Sequence, residues 1–323
     1  MARSLWLLPV ALLLAGCPGP LRKPAEESGG PAPELAGPDV PIQPAEGGAA
    51  RLAPGLAPGD KIVREFEIAS EMNRVGETED LPPGQPLATT LYRNRRYADQ
   101  ILAADAGRPT SVRRTYERSF ERSELRLTGG SSRKNEGAQK IEGVHVQLTA
   151  AGGEVRATAE ELPPGVTEAD LDEVLVLDTV ALAAFVPGRE VAPGESWTVP
   201  IERVAEILGK QPPGASYSGR IGVHYARPVL FGGKRCAHLE IEIDLDLADR
   251  QAAGVPFAKK TKMILSGEIY YSFEEGRPLY LRATGPTTIE YVPQGEAPVA
   301  EMAQPFTLQG ELKLTITFER AAG

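Results

Sequence analysis

Few residues in this sequence have the types and spacing that catalysis or metal binding would require. The three histidines are His145, His224 and His238, and none has a second ligating residue at a spacing typical of a zinc site. The sequence also lacks a Gly-x-Ser-x-Gly nucleophile motif, a phosphate-binding glycine loop and a His-Glu-x-x-His motif. We therefore expect a protein that is not an enzyme and that uses no metal or cofactor.

Four acidic residues alternate with apolar residues between positions 236 and 247. This acidic row consists of Glu240, Glu242, Asp244 and Asp246. Residues two apart lie on the same face of a strand, where neighbouring carboxylates could coordinate Ca²⁺. We favour the simpler interpretation that the row is the solvated face of a strand.

Residues 93–134 carry a positive charge within an otherwise acidic chain. They contain ten arginines and Lys134 against five acids, a net charge of +6, whereas the whole chain has a net charge of −9. An acidic protein is a poor candidate for nucleic-acid binding, so we expect no nucleic-acid partner. Four of these arginines recur at every fourth position: Arg114, Arg118, Arg122 and Arg126.

The spacing of these four arginines fits either a helix or a strand. Turn signals at both ends, together with Thr115, Tyr116 and Phe120, favour a strand over about 112–127, with all four arginines on one face. Such a face could dock an anionic headgroup, a polysaccharide or an acidic protein partner. The alternative, which we favour, is that the arginines pair with the acidic row across the sheet.

The N-terminus has the pattern of a secretory signal peptide over residues 1–16. A basic start and an apolar run at 5–14 lead to small residues and a cysteine. The stretch Leu14-Ala15-Gly16-Cys17 resembles the lipobox of bacterial lipoproteins. This resemblance implies cleavage before Cys17, a diacylglycerol on its thiol and a membrane anchor. Because Pro18 rather than Asp follows, it also implies the outer membrane, with the protein facing the periplasm.

Residues 17–58 are predicted to be the lipidated cysteine and a disordered tether. Residues 18–58 contain ten prolines and seven glycines but no aromatic residue. A segment of this composition cannot bury enough apolar surface to offset the entropy lost on ordering. We expect one folded domain at 59–323, held away from the membrane by a Pro-rich chain that extends about 3.1 Å per residue.

Regular alternation of apolar and polar residues predicts long strands, most clearly at Cys236–Leu247. Cys236 itself should be a small buried side chain. The strands of the C-terminal half are predicted at about 216–231, 235–248, 259–273, 278–292 and 305–319. Strands of this length predict a mainly β fold, with one large, strongly curved antiparallel sheet or half-barrel.

One segment, about 168–185, has a clear helical periodicity, and a shorter helix is predicted at 202–208. The longer helix follows a capping sequence and ends before Pro187-Gly188. We expect it to lie against the concave face of the sheet, where its apolar side chains would contact a ligand. These candidate ligand-binding residues are Leu171, Val174, Leu175, Leu182 and Phe185.

A curved antiparallel sheet with a helix in its concavity resembles the lipoprotein carriers of the LolA and LppX group. The resemblance implies a hydrophobic cavity for acyl chains. The turn signal Pro193-Gly194 leads to Trp197 on a short predicted strand, where we expect this large aromatic side chain to fill the core. The Pro, Val, Gly and Trp spacing over residues 187–197 resembles a stretch in uncharacterised β-rich bacterial lipoproteins. Two functions remain open: a carrier of a lipid or hydrophobic ligand, and an envelope scaffold with a filled core that binds a protein partner.

Overall fold

The structure is a computed structural model, and it describes residues 38, 40–76, 81, 83–138, 141–151, 154–159, 162, 164, 182–203, 215–249, 257–293 and 305–320. The strands are β1 (Ile42–Pro44), β2 (Ala50–Leu52), β3 (Lys61–Arg74), β4 (Pro86–Asp105), β5 (Arg108–Leu127), β6 (Ser132–Ala138), β7 (His145–Ala151), β8 (Glu154–Ala159), β9 (Arg189–Val191), β10 (Ser196–Val199), β11 (Ala215–Phe231), β12 (Lys234–Asp249), β13 (Phe257–Ser272), β14 (Arg277–Pro293) and β15 (Phe306–Arg320). Ala183–Phe185 and Ile201–Arg203 form single 3-10 turns.

Thirteen of the described strands form one open antiparallel sheet. The order across it is β1, β11, β12, β13, β14, β15, β3, β4, β5, β7 and β8, with β10 also pairing with β11 and β6 with β5. Strands β2 and β9 form a separate two-stranded sheet. Because β15 lies beside β3, it joins the meander β11–β15 to the meander β3–β5 in the middle of the sheet.

The predicted mainly β fold is confirmed, and the predicted strands of the C-terminal half agree with β11–β15 to within two residues at each end. Residues 112–127, which fitted either a helix or a strand, lie within β5. The alternation in sequence gave no sign of β6, because nearly all of its residues are polar and exposed.

Each long strand turns one set of alternating residues towards the same side, which we call the inner face. One row across it, in register from β11 to β3, consists of Tyr225, Leu239, Ile269, Leu281, Ile316 and Phe66. All of these except Phe66 are at most 5% exposed, and all belong to or pack against one hydrophobic cluster. Burial of this face is therefore the main hydrophobic contribution to the stability of the domain.

The ladder between β13 and β14 is interrupted near its middle. Residues 264–265 and 285–286 have no register partners in the described ladder, and a cavity of about 390 Å³ lies at this break. At Gly285 a β-carbon would lie 2.2 Å from the carbonyl oxygen of Ile264. The close approach of the two strands thus requires glycine, and it marks a place where the sheet departs from regular pairing.

Residues 40–58 form an ordered strap along one end of the sheet. In this strap, β1 pairs with the end of β11 and β2 pairs with β9. Leu52 and Leu56 are 0% and 5% exposed, and both belong to the inner-face cluster. The prediction of a disordered tether is therefore wrong for residues 40–58, because two buried leucines and backbone pairing hold them on the domain. Residues 17–37 lie outside the described part.

The predicted helix at 168–185 falls mostly outside the described residues, since 165–181 are not described. At its C-terminal end, Leu182 has a φ of 45° in the left-handed region, and the 3-10 turn Ala183–Phe185 follows. A regular helix does not continue through this point, so the prediction is wrong for 182–185. Of the shorter helix predicted at 202–208, the described residues contain only the end of the turn Ile201–Arg203.

Candidate functional site

The four arginines that were predicted to form one patch lie on two faces of the sheet. The register between β4 and β5 shifts at Glu117, which is an extra residue in β5. A bulge of this kind moves the residues after it to the opposite face. Arg114 therefore points to the inner face. The arginines beyond the bulge lie on the outer face: Arg118, Arg122 and Arg126. The predicted single patch is wrong, because alternation in the sequence does not reveal the bulge.

Arg114 belongs to a buried triad with Arg64 of β3 and Asp99 of β4. Asp99 Oδ1 accepts a hydrogen bond from Arg114 Nε at 2.8 Å, and its Oδ2 accepts from Arg64 Nε at 3.0 Å and Nη2 at 2.6 Å. The three side chains are at most 3% exposed. The Tyr97 ring lies 5.1 Å from each guanidinium carbon, close enough for cation–π attraction. The triad thus ties the three neighbouring strands together.

The charges of the triad depend on one another. Burial disfavours the ionised form of Asp99, but attraction to Arg114 and Arg64 and their hydrogen bonds hold the pKa of this carboxyl below its usual value. Burial lowers the pKa of Arg64. Burial acts in the same sense on Arg114, but the neighbouring Asp99 carboxylate outweighs it and raises the pKa of Arg114. All three groups are therefore ionised at neutral pH.

A second charged group lies next to the triad on the inner face. Arg93 forms a buried ion pair with Glu121, and Arg95 beside it is 5% exposed. The inner face is therefore divided by composition, with apolar side chains on β11–β15 and arginines with their acids on β3–β5. Sequence reasoning identified the positive segment 93–134 but did not place part of it in the interior.

The outer face of β3–β5 carries exposed ion pairs. Arg118 pairs with Glu65, and Arg96 lies 2.9 Å from Glu117 and 3.5 Å from Glu319. Cross-strand pairing of arginines with acids was the preferred prediction, but these acids belong to β3, β5 and β15. The acidic row of β12 is not their partner.

The acidic row lies on the outer face of β12, mostly exposed to solvent. Asp244 is opposite Arg220, and Asp246 is opposite Lys262. Among the residues that the structure describes, no three metal-ligating side chains come together. The row is therefore arranged as a solvated strand face with basic residues beside it.

Each histidine has a hydrogen-bonding neighbour on an adjacent strand. The pairs are His145 Nδ1 with Thr115 Oγ1 at 2.9 Å, His224 Nδ1 with Ser196 Oγ at 2.9 Å, and His238 Nε2 with Glu268 Oε2 at 3.2 Å. Tyr270 stacks on the His238 ring and donates to the same Glu268 carboxylate. These contacts explain the histidines as cross-strand pairs within the sheet.

Two of the five predicted ligand-binding residues are described. Leu182 and Phe185 are 1% and 2% exposed and belong to the inner-face cluster. The carbonyl oxygen of Phe185 accepts a hydrogen bond from Trp197 Nε1 at 2.9 Å, and Trp197 is half-buried on β10. The remaining three lie outside the described residues: Leu171, Val174 and Leu175.

The inner face is neither completely buried nor completely apolar. Some of its apolar side chains remain partly exposed, namely Phe66, Tyr217, Ile243, Leu247 and Leu314. Among the residues that the structure describes, the buried hydroxyls of Ser70, Tyr225 and Thr287 on the same face have no hydrogen-bond partner, and each residue is at most 4% exposed. A hydroxyl that is buried without a partner is unfavourable, so these positions lower the stability of the inner face.

Comparisons with known proteins leave the family open. No family model matches the chain, and no curated protein matches it. Weakly similar solved structures include one entitled "Lipid-protein interactions in lipovitellin". The two chains are 10% identical, with a TM-score of 0.36 over 84% of this chain and 26% of that chain. This chain thus corresponds to about a quarter of its structural neighbour, and so weak a likeness supports no functional conclusion.

Within the described segments, no helix is both long and apolar enough to cross a bilayer.

Proposed function

We propose that this protein is a lipid-anchored lipoprotein of the outer membrane, facing the periplasm, that binds or carries a lipid on its inner face without acting as an enzyme. The observation that carries the ligand-binding part is the partly exposed apolar surface on the inner face of an open sheet, at Phe66, Ile243 and Leu314. Partly exposed apolar side chains on this face would suit a hydrophobic ligand, because pockets for such ligands are lined mainly by apolar residues.

The anchoring part of the proposal depends on Cys17. The stretch Leu14-Ala15-Gly16-Cys17 after an apolar run supports diacylglycerol attachment at this thiol. Several acyl chains on one residue give firm anchorage, since each buried methylene contributes about 0.8 kcal/mol. Metabolic labelling with palmitate should label the wild-type chain but not Cys17→Ser, and equal labelling of both would refute lipidation.

Ligand binding is tested by native mass spectrometry of the protein extracted from membranes. We expect phospholipid to co-purify with the wild-type chain. The variant Ile243→Lys places a charge on the inner face and should lose the lipid, whereas Asp244→Lys, on the outer face of the same strand, should keep it. Lipid that is retained equally by both variants, or absent from the wild type, would contradict the proposal.

The alternative is an envelope scaffold with a filled core, which binds a protein partner. It is favoured by the fully buried side chains of the inner face, such as Leu239, Ile269 and Leu308, which are 0% exposed. Cross-linking in whole cells distinguishes the two functions. A scaffold would give a discrete protein adduct and carry no lipid, whereas a carrier would yield bound lipid.

A further inference from the structure

The strap of residues 40–58 connects several turns at one end of the sheet. At its start, the carbonyl of Pro41 accepts a hydrogen bond at 3.1 Å from Gly232, in the turn between β11 and β12. Further along, Gly55 donates to Gly276 in the β13–β14 turn at 2.9 Å. Leu56 then donates to Gly107 in the β4–β5 turn at 3.1 Å. The strap therefore spans the whole end of the sheet before the chain enters β3.

The strap lies directly against these turns, backbone to backbone. A β-carbon at Gly107 would lie 2.1 Å from the carbonyl oxygen of Pro54, and one at Gly276 would lie 2.4 Å from the nitrogen of Gly55. Both turn glycines also have positive φ, of 77° and 56°. The turns thus have a shape that accommodates the strap and that other residues could not provide.

Two side chains of the strap reach the inner face. Leu52 and Leu56 are buried in the same cluster as the apolar rows of the sheet. The carbonyl of Leu52 also accepts a hydrogen bond from Gly188 at 2.9 Å, which holds β2 on the segment 182–191. These leucines therefore close the inner face at the end where the turns lie.

The strap is held by short elements, unlike the sheet that it covers. Strands β1, β2 and β9 have three residues each, whereas β12 and β13 have 16 residues each. Segments with few backbone pairs open locally at a much lower free energy than long central strands. We therefore expect the strap to open locally at a lower free energy than the sheet.

We propose that the strap is a gate: detachment of β2 with Leu52 and Leu56 opens the inner face at this end and admits the ligand. This inference rests on the proposed lipid binding. The strap also immediately follows the segment that leads to Cys17, so the gate lies at the end of the domain from which the membrane anchor would extend.

The test is a reversible disulfide across β2 and β9. Arg51 and Glu190 are directly opposite in register and both are exposed, which suits a disulfide. The control pair is Asp246→Cys with Lys262→Cys, which joins β12 to β13 and leaves the strap free. Burial raises the pKa of the Cys236 thiol to about 12, so it does not compete for oxidation.

The strap variant, Arg51→Cys with Glu190→Cys, and the control variant are each prepared as the full chain in nanodiscs, in the oxidised and in the reduced state. Two quantities are measured on every sample. Hydrogen exchange of residues 50–58 reports opening of the strap. Uptake of pyrene-labelled phosphatidylethanolamine from donor vesicles reports admission of lipid. We expect oxidation of the strap pair to slow both the hydrogen exchange and the lipid uptake by at least about tenfold, because the disulfide removes the local opening of the strap. Oxidation of the control pair should change neither rate.

The outcomes separate the gate from the binding function. Equal uptake by the oxidised and reduced strap variant would overturn the gate alone. Strap amides that exchange as slowly as those of β12 in the reduced protein would also overturn it, since the strap would then open only on global unfolding. The absence of uptake in every sample would refute lipid binding and, with it, the admission route.

Discussion

Replacement of Asp99 by asparagine should destabilise the domain strongly. The substitution keeps the size of the side chain but removes the charge between Arg64 and Arg114, whose side chains are 3% exposed. At an effective dielectric constant near 20, each guanidinium–carboxylate attraction at about 4 Å is worth about 4 kcal/mol before desolvation is subtracted. Loss of one partner from a buried ion pair typically costs about 3–5 kcal/mol, and we expect Asp99→Asn to fall in this range.

The assay is urea unfolding at pH 7, followed by circular dichroism. A fall in the midpoint with an unchanged m-value would give the loss of stability directly. The matched control is Glu117→Gln, which removes an exposed partner of Arg96 and should cost less than about 1 kcal/mol. If the free energy of unfolding of Asp99→Asn lies within about 1 kcal/mol of the wild-type value, the view that the triad holds β3, β4 and β5 together is refuted.

The same residue gives a pH dependence with a defined sign. The pKa of Asp99 is lower in the folded than in the unfolded chain, where it is about 3.9. Its contribution is therefore complete above about pH 4 and is lost as the pH falls towards the folded pKa. Wild-type stability should decline in this acid range more steeply than that of Asp99→Asn. Parallel pH profiles would contradict this assignment.

Three further predictions concern the packing of the sheet and the strap. Gly310→Ala places a β-carbon 1.8 Å from the backbone of β3 and should cost more than about 1 kcal/mol, whereas Gly48→Ala, with no atom within 4 Å, should be neutral in urea unfolding. Leu52→Ala should cost about 2–5 kcal/mol and the exposed neighbour Arg51→Ala less than about 0.5 kcal/mol in the same assay. Cys236 should resist alkylation at pH 8 in the native protein, because burial raises the pKa of its thiol to about 12, but it should react in urea. Mass spectrometry measures the alkylation, and rapid alkylation of the native protein would contradict the burial of Cys236.

Strand periodicity made the mainly β fold predictable, but it did not predict for every strand which residues point to the inner face. Alternation identified β11–β15 because most of each strand has one buried and one exposed side. Near the β11–β12 and β13–β14 turns the outer side is buried as well, at Cys236, Tyr270 and Tyr280. In β5, the extra residue Glu117 shifts the register, so that the residues after it point to the face opposite to the one that alternation predicts. The pairing with β4 that creates this bulge is non-local, so Arg114 and Arg118 look equivalent in the sequence although only the first is buried.

The strap was missed for a different reason. Its proline and glycine content is that of a disordered linker, and composition alone does not reveal an ordered path along three turns. The available signal was the pair Leu52 and Leu56, the two large apolar residues in the otherwise small and polar stretch 43–58. Local sequence could not indicate the turns that receive them, because Gly107 and Gly276 are far away in the chain.

The position of β15 affects how the domain can fold. This strand lies between β14 and β3, and its residue Leu308 is opposite Arg74. The centre of the sheet therefore cannot assemble until the chain through residue 320 is available for pairing. Until then β3 and β14 each present an edge of unpaired N–H and C=O groups, which is the kind of surface that promotes aggregation. Slow folding is the expected consequence of a sheet whose middle is completed last.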